Sequence, residues 1–250
     1  MNPVLKNDMA GKASSEGAMS FSSNRMKAVI LAAGEGTRLL PLTLQTPKCM
    51  IEIGGRPIIE RILESLPEEI DEVIIVVNHL KEKIKDHLGN NFQSRGVKYA
   101  EQREKKGTFG ALLSAQDLFQ PGERFLVLNG DDLNDKEELG KFLKQDRTFG
   151  VQKMIMPNYY GLNIVDGNLE SFRPQTDEEK GEGTLIATGV YTLDTDIFSH
   201  PGVGVFGGEY GLPQTILAQK DKHPIKVIEI TRWIPVNSFV DIERANKYLS

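Results

Sequence analysis

Three short runs in the first half of the chain have no polar face: residues 28–33, 73–77 and 125–128. A strand built only from Ala, Val, Ile, Leu and Phe must be covered on both sides, as in a parallel sheet flanked by helices. The segments between these runs carry helical patterns. One follows Gly54-Gly55-Arg56-Pro57 as Ile58-Ile59-Glu60-Arg61-Ile62-Leu63 and stops near Pro67. A charged helix spans Lys81 to Leu88 and ends at Gly89, a further helix is predicted over residues 108–118, and another lies around residues 137–144. Residues 97–100 read as one more strand. Strand–helix alternation with short connections predicts an α/β fold, a Rossmann-like three-layer α/β/α arrangement around a mostly parallel twisted sheet. Ligands in such folds sit at the carboxyl ends of the strands.

The first run ends in Gly34-Glu35-Gly36-Thr37-Arg38, and Pro47-Lys48 follows ten residues later. Glycines at a strand end let backbone N–H groups converge on an anion. Arg38 adds a planar fork and Lys48 a point charge, a combination suited to a polyphosphate. Two familiar glycine loops are excluded. A dinucleotide fingerprint needs glycine where Leu39 stands, and Pro41 would break the helix after it. A phosphate loop of the G-K-[ST] kind fails because Gly36 is followed by Thr37-Arg38. The glycines alone could equally serve turn geometry.

Further along, Leu128-Asn129-Gly130-Asp131-Asp132 closes a buried strand. A carboxylate there projects toward the ligand crevice, and Mg²⁺ is commonly held by one or two protein oxygens plus phosphate oxygens. Asp131 is the candidate ligand, with a turn-forming Gly-Asp pair as the plainer reading.

The string L-A-A-G-x-G-T-R with its downstream P-K resembles the signature of the sugar-phosphate nucleotidyltransferases, including glucose-1-phosphate thymidylyl- and uridylyltransferases. The resemblance runs over residues 26–249 and is strongest at 26–57. It implies that Leu31, Ala33, Gly34, Gly36, Thr37 and Gly130 line a nucleotide site, that Arg38 and Lys48 act on the phosphates, and that Asp131 binds Mg²⁺. Val236-Asn237 resembles the V-N of bacterial N-acetylglucosamine-1-phosphate uridyltransferases, which makes Asn237 the second metal oxygen; its rival role is at the start of the helix read from Asp241. Gln102, Gly107 and Thr108 resemble the base-reading element Q-x(4)-G-T, which favours UTP or dTTP. A glutamine amide offers both a donor and an acceptor to a pyrimidine edge.

On the acceptor side, Tyr160-Gly161 and Ala187-Thr188-Gly189-Val190-Tyr191 resemble the family's Y-G and N-x-G-x-Y elements, and Glu209 falls in an E-Y-x-L segment. Gly161, Thr188, Gly189 and Glu209 are therefore the candidate sugar contacts, in a small sugar-binding subregion of the second half. Where many members have F-x-E-K-P, this chain has Phe172-Arg173-Pro174-Gln175. Arg173 or Arg232 is the candidate substitute for the missing phosphate contact. The implied reaction is Mg²⁺-dependent transfer of a nucleoside monophosphate from a triphosphate to a sugar 1-phosphate, as in sugar nucleotide biosynthesis. A cytidylyltransferase with a non-sugar acceptor such as phosphocholine, and a non-catalytic regulatory subunit, are the alternatives.

The remaining expectations are bounds. Residues 1–25 are Ser-, Gly- and Ala-rich and read as a disordered leader or tag, leaving 26–250 as one domain. The net charge of −5 opposes a general nucleic-acid surface. No stretch is long enough to span a membrane and no secretory signal is seen, so the chain reads as cytoplasmic. Self-association is left open. Cys49 is the one cysteine, which excludes an internal disulfide, and reads as a buried spectator. The histidines His79, His87, His200 and His223 show no ligand spacing. In the second half, residues 154–165 and 183–193 are strand-like, residues 175–183 read as an exposed loop or hairpin tip, residues 202–211 as a mobile lid or loop, residues 225–230 as a strand, and residues 241–249 as a closing helix.

Overall fold

The computed structural model describes residues 25–249 except 105, 157 and 158. The predicted leader thus lies, save for Arg25, outside the described residues. The chain begins with β1 (Met26–Leu31), followed by a small ribbon, β2 (Glu52–Ile53) and β3 (Arg56–Pro57). Next come α1 (Ile58–Ser65), β4 (Ile70–Val77), α2 (Lys81–Leu88), β5 (Asn91–Phe92) and β6 (Arg95–Glu101). After α3 (Gly107–Leu113), β7 (Arg124–Asn129) and β8 (Asp132–Leu133), α4 (Lys136–Phe142) leads to β9 (Thr148–Met154). The second half adds β10 (Gly161–Val165), β11 (Asn168–Arg173), α5 (Asp177–Glu182) and β12 (Thr184–Asp194). It closes with α6 (Leu212–Leu217), β13 (Lys226–Glu229), β14 (Ile234–Pro235) and α7 (Phe239–Leu249).

Ten strands form one sheet in the order β10-β11-β13-β9-β12-β7-β1-β4-β6-β5. The three apolar runs sit together at its centre: β1 pairs in parallel with β4 on one side and β7 on the other, and β4 with β6. The long β12 joins the second half by pairing antiparallel with both β7 and β9. Successive residues of β1 serve opposite faces, as the strand period requires. Ala28 and Ile30 pack with Ile59, Ile62 and Leu63 of α1, whereas Val29 packs with Phe109 and Leu112 of α3 and Ile216 of α6. That is the expected three-layer α/β/α arrangement. Each fully buried aliphatic side chain of α1 contributes roughly 1.5–3 kcal/mol.

Several local expectations need correction. The helix expected over 108–118 ends at Leu113, and a separate 3₁₀ turn covers Gln116–Leu118. The run 154–165 is not continuous, because β9 ends at Met154 and β10 starts at Gly161. The polar stretch 175–183 is no loop but contains α5. Its start is a capping box: Glu179 N donates to Thr176 Oγ1 at 3.2 Å, and Thr176 N donates to Glu179 Oε2 at 2.9 Å. Residues 202–211 form the expected loop, with a 3₁₀ turn at Phe206–Gly208 and backbone bonds within the loop and to its neighbours. Val205 N donates to the Glu209 carbonyl at 2.8 Å, Tyr210 N to Lys106 at 2.9 Å, and Phe109 N to Tyr210 at 3.0 Å. Among the described residues no helix is long and apolar enough to cross a membrane.

Candidate active site

A cavity of about 500 Å³ opens at the carboxyl ends of β1 and β7. Its floor is the glycine loop: Leu31, Ala33, Gly34, Gly36, Thr37 and Arg38 all line it, as do Lys48, Gly130, Asp131 and Asn237. Gly36 holds φ +66, and a Cβ there would lie 2.8 Å from Thr43 Cγ2, while the Thr43 hydroxyl donates to the Gly36 carbonyl at 2.9 Å. The loop's shape therefore depends on a residue without a side chain. Gly130 N donates to the Leu31 carbonyl at 3.0 Å, which joins the ends of β1 and β7 under the cavity.

Four polar side chains from distant parts of the chain converge here. Lys48 Nζ donates to Asp131 Oδ2, and also to Asn237 Oδ1 at 2.9 Å. Arg38 donates to the same Asn237 oxygen at 2.7 Å. A carboxylate and an amide oxygen thus already face one cationic point. That donor pair fits a hard cation such as Mg²⁺, with phosphate oxygens completing the shell. Among the described residues no group of three or more His, Cys, Asp or Glu side chains could hold a metal ion.

The backbone explains why Asp131 and Asn237 meet. Strand β8 pairs antiparallel with β14, Ile234 opposite Leu133 and Pro235 opposite Asp132, and Val236 N donates to the Asp131 carbonyl at 3.1 Å. Asn237 also serves the start of α7, since its N–H donates to Asp241 Oδ2 at 3.0 Å. The helix-start role expected from sequence is thus met by the Asn237 backbone, which leaves its side-chain oxygen facing Lys48 and Arg38. Asp132 is buried, and burial together with the neighbouring Asp131 charge pushes its carboxyl well above the usual range; Asn129 Nδ2 donates to it at 3.1 Å. Burial likewise pushes the Cys49 thiol up to about 12, so it is inert as a nucleophile.

Gln102, Gly107 and Thr108 line the opposite wall of the cavity. Gln102 is buried, and its Nε2 donates to the Gly107 carbonyl at 3.2 Å. Gly107 has φ +71, and a Cβ there would lie 2.6 Å from the Tyr210 carbonyl oxygen. Thr108 accepts the Leu212 N–H at 2.9 Å and so also fixes the start of α6.

A second cavity of about 260 Å³ adjoins the first, with Thr108, Asn129, Tyr159 and Ala187 lining both. Leu162, Phe172, Leu212 and Pro213 give it an apolar wall, and Tyr160, Tyr191 and Gln214 add polar atoms. Of the predicted sugar contacts, Gly189 lines this cavity, Glu209 lines the larger one, and Gly161 and Thr188 line neither. The Thr188 side chain is fully buried. Neither candidate phosphate substitute lines either of these two cavities. Arg173 forms a two-bond pair with Glu179, both bonds at 2.6 Å, and Arg232 is engaged with Asp135 and Glu137. Asn129, Tyr159 and Trp233 were not singled out from sequence but line the larger cavity. Asn129 lies within the quoted Leu128–Asp132 motif and Tyr159 directly precedes Tyr160-Gly161, which is the signal the sequence held for them.

The fold and this cleft define an α/β protein with a phosphate-type glycine loop at the ends of its central strands. The sequence model of the Nucleotidyl transferase family matches residues 27–201, and the chain belongs to that family. It is 34% identical over 227 residues to a bifunctional protein GlmU of Methanocaldococcus jannaschii, covering 90% of this chain and 54% of that protein. Over 220 residues it is 32% identical to a UTP–glucose-1-phosphate uridylyltransferase AglF of Haloferax volcanii, covering 83% of this chain and 89% of that one. The chain spans about half or less of the length of the GlmU proteins it matches. Among solved structures, a UDP-glucose pyrophosphorylase from Acinetobacter baumanii shares the fold with a TM-score of 0.76 at 19% identity, covering 90% of this chain and 93% of that chain. An inositol-1-phosphate CTP transferase from T. maritima does so with a TM-score of 0.70 at 18% identity, covering 91% and 97%. The sequence likenesses place the chain in the Nucleotidyl transferase family, and the two solved structures share its fold.

Proposed function

We propose that the protein transfers a nucleoside monophosphate from UTP or dTTP to a sugar 1-phosphate, releasing pyrophosphate. The observation that carries this reading is the convergence of Arg38, Lys48, Asp131 and Asn237 in the larger cavity, which adjoins the smaller one along Thr108, Asn129, Tyr159 and Ala187. The larger cavity takes the triphosphate and the smaller one the sugar. An oxygen of the sugar phosphate attacks the α-phosphorus, the bond to the bridging oxygen breaks, and that oxygen leaves with pyrophosphate. Arg38 steadies the outer phosphates, and Lys48 neutralises charge near the α-phosphate. Asp131 and Asn237 would hold Mg²⁺, which when bound supplies charge neutralisation between the two substrates. One N–H of the Gln102 amide goes to the Gly107 carbonyl, which leaves the second N–H and Oε1 for a base edge. An acceptor there suits the imide N–H that uracil and thymine carry and cytosine lacks. The likeness to a UTP–glucose-1-phosphate uridylyltransferase supports the uridine choice. The test is Asp131→Ala: turnover should vanish while the protein still binds the triphosphate, and near-normal turnover would remove Asp131 from the reaction.

A further inference from the structure

We infer that Glu138 and Gln152 are positioning residues for Asn237, and through it for the divalent cation; this rests on the function proposed above. Residues 231–237 form a strap that crosses from β13 to α7 and carries Asn237 into the cleft. Besides the ladder to β8 through Ile234 and Pro235 and the Val236 N–H bond to Asp131, two side chains anchor the strap at its start.

Glu138 supplies the first. It is buried in the opening turn of α4, where the Asp135 cap accepts its N–H at 3.1 Å. Its carboxylate accepts from Thr231 N at 3.0 Å, Thr231 Oγ1 at 3.0 Å and Arg232 N at 2.9 Å. Burial alone would raise its pKa, but these donors outweigh burial and hold the carboxyl below its usual range. A carboxylate given to backbone donors inside a protein is a strong tether, because losing it strands several polar groups at once. Arg232 reinforces the link by pairing with Asp135 and Glu137 on the same helix turn.

Gln152 of β9 supplies the second anchor, one residue further along. Its Oε1 accepts from Trp233 N at 3.0 Å, and its Nε2 donates to the Trp233 carbonyl at 3.2 Å. A single amide therefore satisfies both backbone groups of Trp233, whose buried ring lines the larger cavity. Four residues later Asn237 Oδ1 meets Lys48 and Arg38. Neither Glu138 nor Gln152 lines the cavities, so their effect on the site runs through the strap.

The test compares wild type with Glu138→Gln and Gln152→Glu. In the first, an NH₂ group faces N–H donors; in the second, an oxygen faces the Trp233 carbonyl. Mn²⁺ binding to the nucleotide-free protein is read by electron paramagnetic resonance, and the Mg²⁺ dependence of pyrophosphate release is measured alongside. Outer partners of a metal ligand typically govern about tenfold or more in affinity. We expect Mn²⁺ affinity to fall about tenfold in both variants and the Mg²⁺ needed for half-maximal rate to rise similarly. The rate at saturating Mg²⁺ should recover toward wild type, with triphosphate binding unchanged. Unchanged metal dependence, or a fall in rate that excess Mg²⁺ does not repair, would overturn the inference. Should these variants fail to fold, Gln152→Met decides the matter, since it removes both bonds to Trp233 at similar volume without adding a charge. A wild type that turns over while the variants keep its metal dependence sinks this inference alone. A wild type that neither binds Mn²⁺ nor releases pyrophosphate sinks the proposed function with it.

Discussion

Replacing Lys48 with methionine should tighten the binding of a divalent cation to the nucleotide-free protein, even as it destroys turnover. The Lys48 ammonium lies against Asp131 Oδ2 and Asn237 Oδ1, the two oxygens proposed for the metal. On the proposed function a metal bound there would displace the ammonium, leaving it to neutralise charge near the α-phosphate. Two unit charges about 4 Å apart attract by about 4 kcal/mol at an effective dielectric of about 20. Asp131 is 26% exposed and Lys48 11%, so solvent screening cuts that figure substantially. A remainder of roughly 1–2 kcal/mol corresponds to about 5- to 30-fold in affinity. Methionine keeps the stem volume against Gly36, whose virtual Cβ lies 3.1 Å from Lys48 Cβ, without the charge. Mn²⁺ titration followed by paramagnetic resonance should show this gain in the variant. The turnover rate should drop by about 10²–10³, the usual loss for one charge-stabilising group. Equal or weaker Mn²⁺ binding in the variant would refute the idea that lysine and metal share one position.

Gly107→Ala should destabilise the protein by more than about 1 kcal/mol, read as a lower urea midpoint, because the residue sits at φ +71 and the added Cβ would meet the Tyr210 carbonyl. The same variant should raise KM for the triphosphate, since the glycine stands beside Gln102 in the cleft wall. Asp194→Asn should cost about 3 kcal/mol at neutral pH by breaking its two-bond pair with the buried Arg147. Burial would raise the Asp194 pKa, but Arg147 and the Asp196 N–H outweigh it and hold it low. The pair's stabilisation is thus present above about pH 4 and lost as pH falls through the lowered folded value, so the gap between wild type and variant should narrow toward pH 2. Unfolding curves at pH 7, 5 and 3 test this, and a gap that stays constant would contradict it. Cys49, 2% exposed and with its thiol pushed up to about 12, should react with a disulfide reagent only after unfolding. Rapid labelling of the native protein would show that its burial is wrong.

The parts of this molecule that sequence reveals are those set by local pattern. The unbroken apolar runs of β1, β4 and β7 could only be central parallel strands, and Gly89 ends α2 where the charged pattern does. The cleft's floor was legible for the same reason, because the glycine loop directly continues β1. Short polar elements were not. Helix α5 has no buried residue, so no apolar stripe announces it; only Thr176 and Glu179, three apart, carried the signal. Tertiary partners stayed hidden too. Nothing in the spacing of Glu138 and Thr231, 93 residues apart, indicates that one anchors the other. Arg173 and Arg232 looked like spare cations because their carboxylate partners are recognisable only once the chain is folded. The smaller cavity is assembled from β7, α3, β10, β11, β12 and α6, and such a composite surface leaves no single motif to read.

The most direct test of the whole account is pyrophosphate release in the presence of Mg²⁺, with UTP, dTTP, CTP, ATP and GTP each offered with glucose, mannose and N-acetylglucosamine 1-phosphates and with phosphocholine. The account predicts release with UTP or dTTP and one of the sugar 1-phosphates, abolished by Asp131→Ala. Release with CTP and phosphocholine alone, or no release with any pair from a folded protein that binds the triphosphate, would contradict it.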